Sequence, residues 1–182
     1  WVQEMVAEFD PASNSLTTTG GRKIGYDFLV VATGLQLGYD QIQGMDVAAI
    51  GTDRAPGLAS VYPGPQAAQA TWAVMQAFAA KGGDAVMTLP ATPLKCAGAP
   101  LKMTFMLRDR LRQAGTLGRS TVRFMSALGN VFGVPKVNDN VLSRWKGLGI
   151  DVEFSHKLAA VDIGARRATF VTPEGEKVEQ PY

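Results

Sequence analysis

Ala85-Val86-Met87-Thr88-Leu89 is an apolar run of β-forming residues that follows the breaker Gly82-Gly83-Asp84 and ends at a proline, and this pattern predicts a buried strand. We predict that a helix begins near Pro100, a residue suited to the first helical position, and continues through residues 101–112. The apolar run Thr121-Val122-Arg123-Phe124-Met125 then predicts a second strand. Strand, helix and strand in this order indicate a βαβ unit with parallel strands.

The turn between the first strand and the helix is Pro90-Ala91-Thr92-Pro93-Leu94-Lys95-Cys96. A dinucleotide-binding unit has G-x-G-x-x-G here, and its backbone amides hold a pyrophosphate at the helix N-terminus. Prolines donate no amide and no glycine precedes Gly98, so we expect a dinucleotide to bind poorly.

The same electrostatics favour a thiolate, which makes Cys96 the candidate catalytic residue. The alternative is a small buried hydrophobic cysteine. The sequence is equally consistent with two roles for Lys95: an ordinary solvated side chain, or a side chain that stabilises the thiolate.

Composition limits the classes of function. A chain of 182 residues with 46% hydrophobic and 19% charged residues can bury a globular core of one domain or a little more. The net charge is +2, and the lysines and arginines are scattered along the sequence without forming a basic stripe. No nucleic-acid partner is therefore expected. One cysteine and one histidine exclude an internal disulfide and an ordinary zinc site, so no metal is expected. No apolar run approaches the roughly 20 residues of a membrane span.

The first part of the chain predicts a β-meander followed by a buried strand. Short alternating segments with polar turns extend from Trp1 to Asp27. Phe28-Leu29-Val30-Val31-Ala32-Thr33-Gly34 is a continuous apolar run ending in a hydroxyl and a glycine, which indicates a strand buried on both faces and ending at a ligand. Residues 36–65 are rich in glycine and proline, with little periodicity. We therefore assign residues 1–45 to one partial domain, 46–65 to a connection and 66–182 to a second domain.

The second domain is predicted to be α/β, with a Rossmann-like parallel sheet, helices and an antiparallel β-meander. A helix over residues 66–80 closes at Gly82, and Asn138-Asp139-Asn140 is predicted to cap a helix that runs through Trp145. Residues 150–154 predict a third parallel strand, and residues 158–163, 168–172 and 177–179 predict the meander that covers the sheet.

Two motifs in these segments resemble a known superfamily. Tyr26-Asp27-Phe28-Leu29-Val30-Val31-Ala32-Thr33-Gly34 is similar to the strand with the Ala-Thr-Gly motif in flavoprotein disulfide reductases with two dinucleotide-binding domains. Pro93-Leu94-Lys95-Cys96-Ala97-Gly98-Ala99-Pro100-Leu101-Lys102 resembles the sulfide:quinone oxidoreductases of mitochondria and many bacteria, and the similarity extends through Val131-Phe132-Gly133-Val134. The resemblance covers the full chain but less than half of a family member.

The resemblance implies FAD as cofactor, two redox cysteines, oxidation of sulfide to a protein-bound persulfide and reduction of quinone through the flavin. Cys96 matches the first of these cysteines. Thr33 and Gly34 match the motif that packs against FAD, and Val6 resembles the meander position whose backbone meets the adenine. Residues 1–45 would then be a partial FAD-binding domain and residues 66–182 an NAD-binding-like domain that carries the redox cysteine.

The chain begins at Trp1 without a methionine and contains no G-x-G-x-x-G and no second cysteine, so we expect it to be an inactive fragment that does not retain FAD. The resemblance implies a parent protein associated peripherally with a membrane, with sulfide and quinone as its substrates. We expect the fragment itself to be soluble and able to form a homodimer.

Three alternatives remain from the sequence. A flavin-dependent NAD(P)H:quinone reductase or related pyridine nucleotide-disulfide oxidoreductase would need a glycine-rich turn after Leu89. A flavocytochrome sulfide dehydrogenase would pass its electrons to a haem protein. An inert Rossmann-like structural module would have an unreactive Cys96. The single histidine, His156, is predicted to be a surface residue.

Overall fold

The computed structural model describes residues 1–182, which form two compact units, Trp1–Leu35 and Gln36–Tyr182. The first unit is an antiparallel sheet of three strands in the order β1-β2-β3. The strands are β1 (Val6–Asp10), β2 (Ser15–Thr18) and β3 (Lys23–Gly25). This sheet confirms the predicted meander. The turn between the first two strands forms because the Asp10 carboxylate accepts a hydrogen bond from the Ser13 amide, at 3.3 Å.

The apolar run Phe28–Gly34 forms no strand, so this part of the prediction is wrong. No hydrogen bond involves the backbone from Asp27 to Leu37. Phe28 is 94% exposed and Val30 is 85% exposed. A strand buried on both faces needs neighbouring strands and a layer on each side, and no strand of the first unit pairs with this segment.

The second unit is built on a parallel sheet in the order β4-β5-β6, as predicted. Its strands are β4 (Gly83–Leu89), β5 (Ser120–Ser126) and β6 (Asp151–Glu153), and its helices are α1 (Pro65–Lys81), α2 (Gly98–Gln113) and α3 (Pro135–Leu148). The order β4-α2-β5 confirms the βαβ unit. Proline at the start of α1 and Gly82 after its end, with φ of +78°, account for its boundaries.

The core of the second unit lies between the parallel sheet and its helices. Trp145, Phe124 and Leu111 are completely buried there. The Trp145 ring lies 4.8 Å from the ring of Phe124 and 5.7 Å from that of Phe105, centroid to centroid, in tilted geometries that aromatic pairs favour. Trp145 therefore joins α3 to both β5 and α2.

Two helices start earlier than the sequence predicted. In α2, Pro100 is the third residue rather than the first, which is allowed because no amide in the first helical turn has an intrahelical partner. In α3, the helix starts at Pro135 and has no side-chain cap. The side chain of Asn138 instead accepts a hydrogen bond from the Val131 amide, at 3.0 Å, and so fixes the loop before the helix.

An antiparallel sheet of three strands covers the parallel sheet, as predicted. Its strands are β7 (Lys157–Asp162), β8 (Arg167–Val171) and β9 (Lys177–Pro181), in the order β7-β8-β9. Phe170 and Ala168 on β8 pack against Met125 on β5, and Phe170 and Met125 are fully buried. This apolar contact holds the two sheets together.

Residues 36–65 pack onto the second unit through short helical turns at Tyr39–Gln41 and Val47–Ala49. The Gln43 amide donates to Ala159 O at 2.9 Å, and the Val161 amide donates to Gln43 O at 2.8 Å, which fastens the segment to β7. The contacts therefore divide the chain after Leu35. The assignment of residues 1–45, 46–65 and 66–182 to FAD-binding domain, connection and NAD-binding-like domain stays a prediction.

Gly44 allows this segment to approach β7, and we expect Gly44→Ala to lower the free energy of unfolding by about 2–3 kcal/mol. Gly44 has φ of +78°, and a Cβ there would collide with the carbonyl oxygen of Val161. Urea unfolding of the two chains measures the effect. Gly175→Ala is the matched control, because Gly175 has φ of +86° with nothing within 4 Å of a Cβ, so its loss of about 1 kcal/mol reports backbone strain alone. Equal losses in both variants would contradict the collision.

No helix in the structure has both the length and the apolar composition that crossing a bilayer requires.

Candidate active site

Cys96 lies in the turn after β4, two residues before the first residue of α2, and it is exposed. Its carbonyl oxygen accepts a hydrogen bond from the Ala99 amide at 3.1 Å, which fixes the backbone at the start of the helix. The exposure of Cys96 excludes the alternative of a small buried hydrophobic residue. Its position places it near the partial positive charge of the N-terminus of a 16-residue helix. The neighbouring Lys95 is also exposed and forms no ion pair, so no carboxylate neutralises its charge.

A cavity of about 320 Å³ opens at the carboxyl ends of β4 and β5. Its walls are mostly apolar, and they come from the Cys96 turn on one side and from the loop after β5 on the other. The Ala127 amide donates to Leu89 O at 2.9 Å, which holds these two segments together. The lining residues are Leu89, Pro90, Ala91, Thr92, Pro93, Leu94, Ala97, Leu128, Asn130 and Val131.

This cavity occupies the place where an open α/β sheet of parallel strands ordinarily binds its ligand. Two of its residues, Pro90 and Pro93, have no amide to donate to a phosphate, and no lining residue carries a positive charge. The lining therefore does not fit a pyrophosphate, and the poor binding of a dinucleotide stays a prediction. Leu94 and Ala97 flank Cys96 in the chain and line the cavity, so Cys96 lies at its margin.

Two tyrosines of the 36–65 segment have perturbed side chains that the sequence did not predict. The Tyr39 hydroxyl and Ser60 Oγ are hydrogen-bonded at 2.5 Å. Burial raises the pKa of Tyr39 above its usual value, although the bond to Ser60 acts against this. Burial also raises the pKa of Tyr62, and the negative charges of the Cys96 thiolate and the Tyr39 phenolate raise it further.

The raised tyrosine pKa values predict that the chain loses stability at alkaline pH. In Tyr39, Tyr62 and Tyr182 burial is the largest cause of the shift. A group whose pKa is higher in the folded state than in the unfolded state contributes stability that is complete below the unfolded value, near 10, and is lost as the pH rises through the folded value. We expect the urea midpoint to fall as the pH rises above about 10. A midpoint that stays constant while tyrosinate absorbance grows would contradict this.

Val6, Thr33 and Gly34 all lie in the first unit, whereas Cys96 lies in the second. Val6 is exposed at the start of β1 and pairs with Thr18. The backbone amides of Thr33 and Gly34 have no hydrogen-bond partner. Gly34 has φ of +78°, and a Cβ there would meet nothing within 4 Å. The cofactor role of the three residues stays a prediction.

His156 is half-buried, whereas the sequence predicted a surface position. Its Nδ1 lies 2.6 Å from the carbonyl oxygen of Phe154, which fixes the ring against the chain after β6.

No group of three or more histidine, cysteine, aspartate or glutamate side chains in the structure is placed to hold a metal ion. Cys96 therefore remains the candidate reactive group of the second unit.

Comparison with solved structures shows which known proteins share this fold. A chain in the structure of the mitochondrial ATP synthase from Tetrahymena thermophila superposes with a TM-score of 0.78 and 26% identity, covering 100% of this chain and 44% of that chain. The sulfide:quinone oxidoreductase from Aquifex aeolicus superposes with a TM-score of 0.70 and 20% identity, covering 99% of this chain and 40% of that one. A ferredoxin reductase from Rhodopseudomonas palustris superposes with a TM-score of 0.51 and 14% identity, covering 97% of this chain and 38% of that one, so the fold is shared with both oxidoreductases.

Sequence comparison finds similar proteins with named activities. The chain is 33% identical over 184 aligned residues to the mitochondrial sulfide:quinone oxidoreductase of Mus musculus, covering 100% of this chain and 39% of that protein. It is 32% identical to the mitochondrial sulfide:quinone oxidoreductase of Dictyostelium discoideum, covering 97% of this chain and 38% of that protein. No model of a known protein family matches. The chain is thus similar over its whole length to these sulfide:quinone oxidoreductases and spans about two fifths of their length.

Proposed function

We propose that the chain is a segment of an FAD-dependent sulfide:quinone oxidoreductase in which Cys96 is one of two redox cysteines. The observation that carries the proposal is an exposed thiol at the N-terminus of α2, beside a cavity that does not fit a pyrophosphate. Similarity over the whole chain to enzymes named for sulfide and quinone supports these two compounds as the substrates. The length covered, about two fifths of those relatives, supports the view that further segments complete the enzyme.

In the proposed reaction, hydrosulfide attacks a disulfide between Cys96 and a second cysteine. One S–S bond forms between the incoming sulfur and one cysteine, which becomes a persulfide, and the original S–S bond breaks to leave a thiolate on the other cysteine. FAD, when bound, supplies the two-electron acceptor through which the sulfur reduces a quinone.

The contribution of this chain is to hold and stabilise one of the sulfur atoms. The N-terminus of α2 and the exposed Lys95 place positive potential at Cys96, which favours a thiolate both as leaving group and as electron donor. The exposure of Cys96 leaves its sulfur accessible to sulfide and to a partner cysteine. Because quinones are lipid-soluble, the proposal also includes a peripheral position of the longer protein at a membrane.

The experiment is to purify the longer protein that carries this chain and to follow reduction of a short-chain quinone with sulfide or with NADH as the donor. We expect flavin absorbance in the purified protein and quinone reduction that depends on sulfide. Reduction with NADH alone would instead support a nicotinamide-dependent quinone reductase. A protein without flavin or without either activity would support an inert module and overturn the proposal.

A further inference from the structure

The three helices of the second unit form one of its two broad faces. All three pack on the same side of the parallel sheet, because residues from each of them join one apolar core with Phe124. The antiparallel sheet packs on the opposite side, where it contacts Met125. Consecutive residues of a strand point to opposite faces of a sheet, so Phe124 and Met125 mark the two sides. The outer surface of the helices is therefore opposite the antiparallel sheet.

Charge is divided unequally between these helices and the rest of the chain. The helices α1, α2 and α3, with the helical turn at Leu117–Arg119, contain nine lysines and arginines and two carboxylates, which gives a net charge of +7. The remaining residues contain nine basic and 14 acidic side chains, a net charge of −5. The basic residues are scattered along the sequence, and it is the packing of the helices that brings them to one face.

The exposed basic side chains of α2 lie on the side of the helix that points away from the sheet. Lys102, Met106 and Arg110 are spaced four residues apart on α2, and all three are exposed. Side chains at this spacing lie on one face of a helix. Thr104 and Leu111 are buried on the opposite face.

The neighbouring helix α3 extends this basic surface. The Arg108 Nε on α2 donates to Leu148 O at the end of α3, at 3.3 Å, so the two helices are adjacent. Trp145 on α3 is buried towards the sheet, whereas Lys136 and Lys146 are exposed. Neither lysine forms an ion pair.

Exposed apolar side chains lie among these charges. Met106 is 48% exposed between Lys102 and Arg110. Trp72 on α1 is 38% exposed, and its ring lies 5.2 Å from the Arg110 guanidinium carbon. Basic side chains mixed with methionine and tryptophan fit the boundary between the headgroups and the acyl chains of a membrane. A double-stranded nucleic acid presents phosphates at its outer surface, which gives these apolar side chains no partner.

We propose that the outer surface of α2 and α3, together with Trp72 of α1, docks on a membrane surface rich in anionic phospholipids. The lysines and arginines contact the headgroups, and the apolar side chains enter the boundary with the acyl chains. Docking would hold the longer protein at the bilayer that contains its lipid-soluble quinone. That advantage rests on the proposed function, whereas the charge asymmetry does not depend on it.

The test measures cosedimentation of the 182-residue chain with vesicles of phosphatidylcholine that contain about one third phosphatidylserine, and with vesicles of phosphatidylcholine alone. We expect binding to the anionic vesicles only, and we expect it to weaken as salt is added, because salt screens the charges. A basic side chain near such a surface strengthens binding about fivefold. The double variant Lys102→Gln with Lys136→Gln should therefore bind about 25-fold more weakly.

The matched control is Lys157→Gln with Lys177→Gln, which removes the same charge from exposed lysines of the antiparallel sheet. It should bind the anionic vesicles as tightly as the wild-type chain does. Circular dichroism melting of each variant checks that it is folded.

Three results would overturn the inference: no stronger binding to anionic than to neutral vesicles, equal losses in the two double variants, or tighter binding to duplex DNA than to anionic vesicles at the same salt concentration. Neither sulfide nor quinone is present in these measurements. A failure of the proposed function is therefore distinguishable from a failure of this inference.

Discussion

Replacing Cys96 by serine is expected to reduce sulfide-dependent quinone reduction by the longer protein about a thousandfold or more, to the background rate. A serine hydroxyl cannot form the disulfide or the persulfide that the proposed reaction requires, so the loss falls on kcat and not on KM alone. Steady-state rates of quinone reduction at several sulfide concentrations measure both parameters.

Ala114→Ser is the matched control for this variant. It introduces the same side chain at an exposed position just after the opposite end of α2 and should leave the rate unchanged. Flavin absorbance and thermal melting of both variants check that cofactor content and folding are retained. Full activity in Cys96→Ser would show that this thiol takes no part in the reaction.

Trp145→Ala is expected to lower the free energy of unfolding of the chain by about 4 kcal/mol. The side chain is completely buried, and it contacts Phe124 on β5 and Phe105 on α2. Truncation removes the buried apolar surface of the ring and leaves a cavity between the helices and the sheet. Such a loss is a large part of the stability of an ordinary domain, so urea unfolding should show a much lower midpoint.

Trp72→Ala is the control for this prediction, because it deletes the same side chain from a position that is 38% exposed on α1. The Trp72 ring lies 5.2 Å from the Arg110 guanidinium carbon, and loss of this cation–π contact should lower the free energy of unfolding by about 1 kcal/mol. A loss at position 145 no larger than the loss at position 72 would contradict the placement of Trp145 in the core.

The sequence predicted the second unit well because its strong local signals agree with its tertiary structure. Proline and glycine mark both ends of α1, and the apolar runs at residues 85–89 and 121–125 form the two parallel strands joined through α2. The signal at Asn138 was ambiguous, because an asparagine side chain can cap a helix or bind a loop amide, and here it binds the amide of Val131.

Two other features depend on contacts that a sequence does not contain. The apolar run at residues 28–34 has the composition of a buried strand, but a strand needs a neighbour, and none pairs with it. Tyr62 gave no periodic signal, and its position depends on hydrogen bonds between Ser60 and Thr71, eleven residues apart in the chain. The candidate cysteine was therefore predictable from its turn, whereas the hydrogen bonds that hold the backbone of Tyr62 were not.

The most direct test of the proposed role of Cys96 is its accessibility to alkylation in the longer protein before and after sulfide is added without quinone. The peptide that contains Cys96 is identified by mass spectrometry after each treatment. In the oxidised protein the disulfide should protect Cys96. After sulfide, the peptide should be alkylated at Cys96, either directly or through one additional sulfur atom. Equal alkylation of Cys96 before and after sulfide, in a protein that still reduces quinone, would contradict the account.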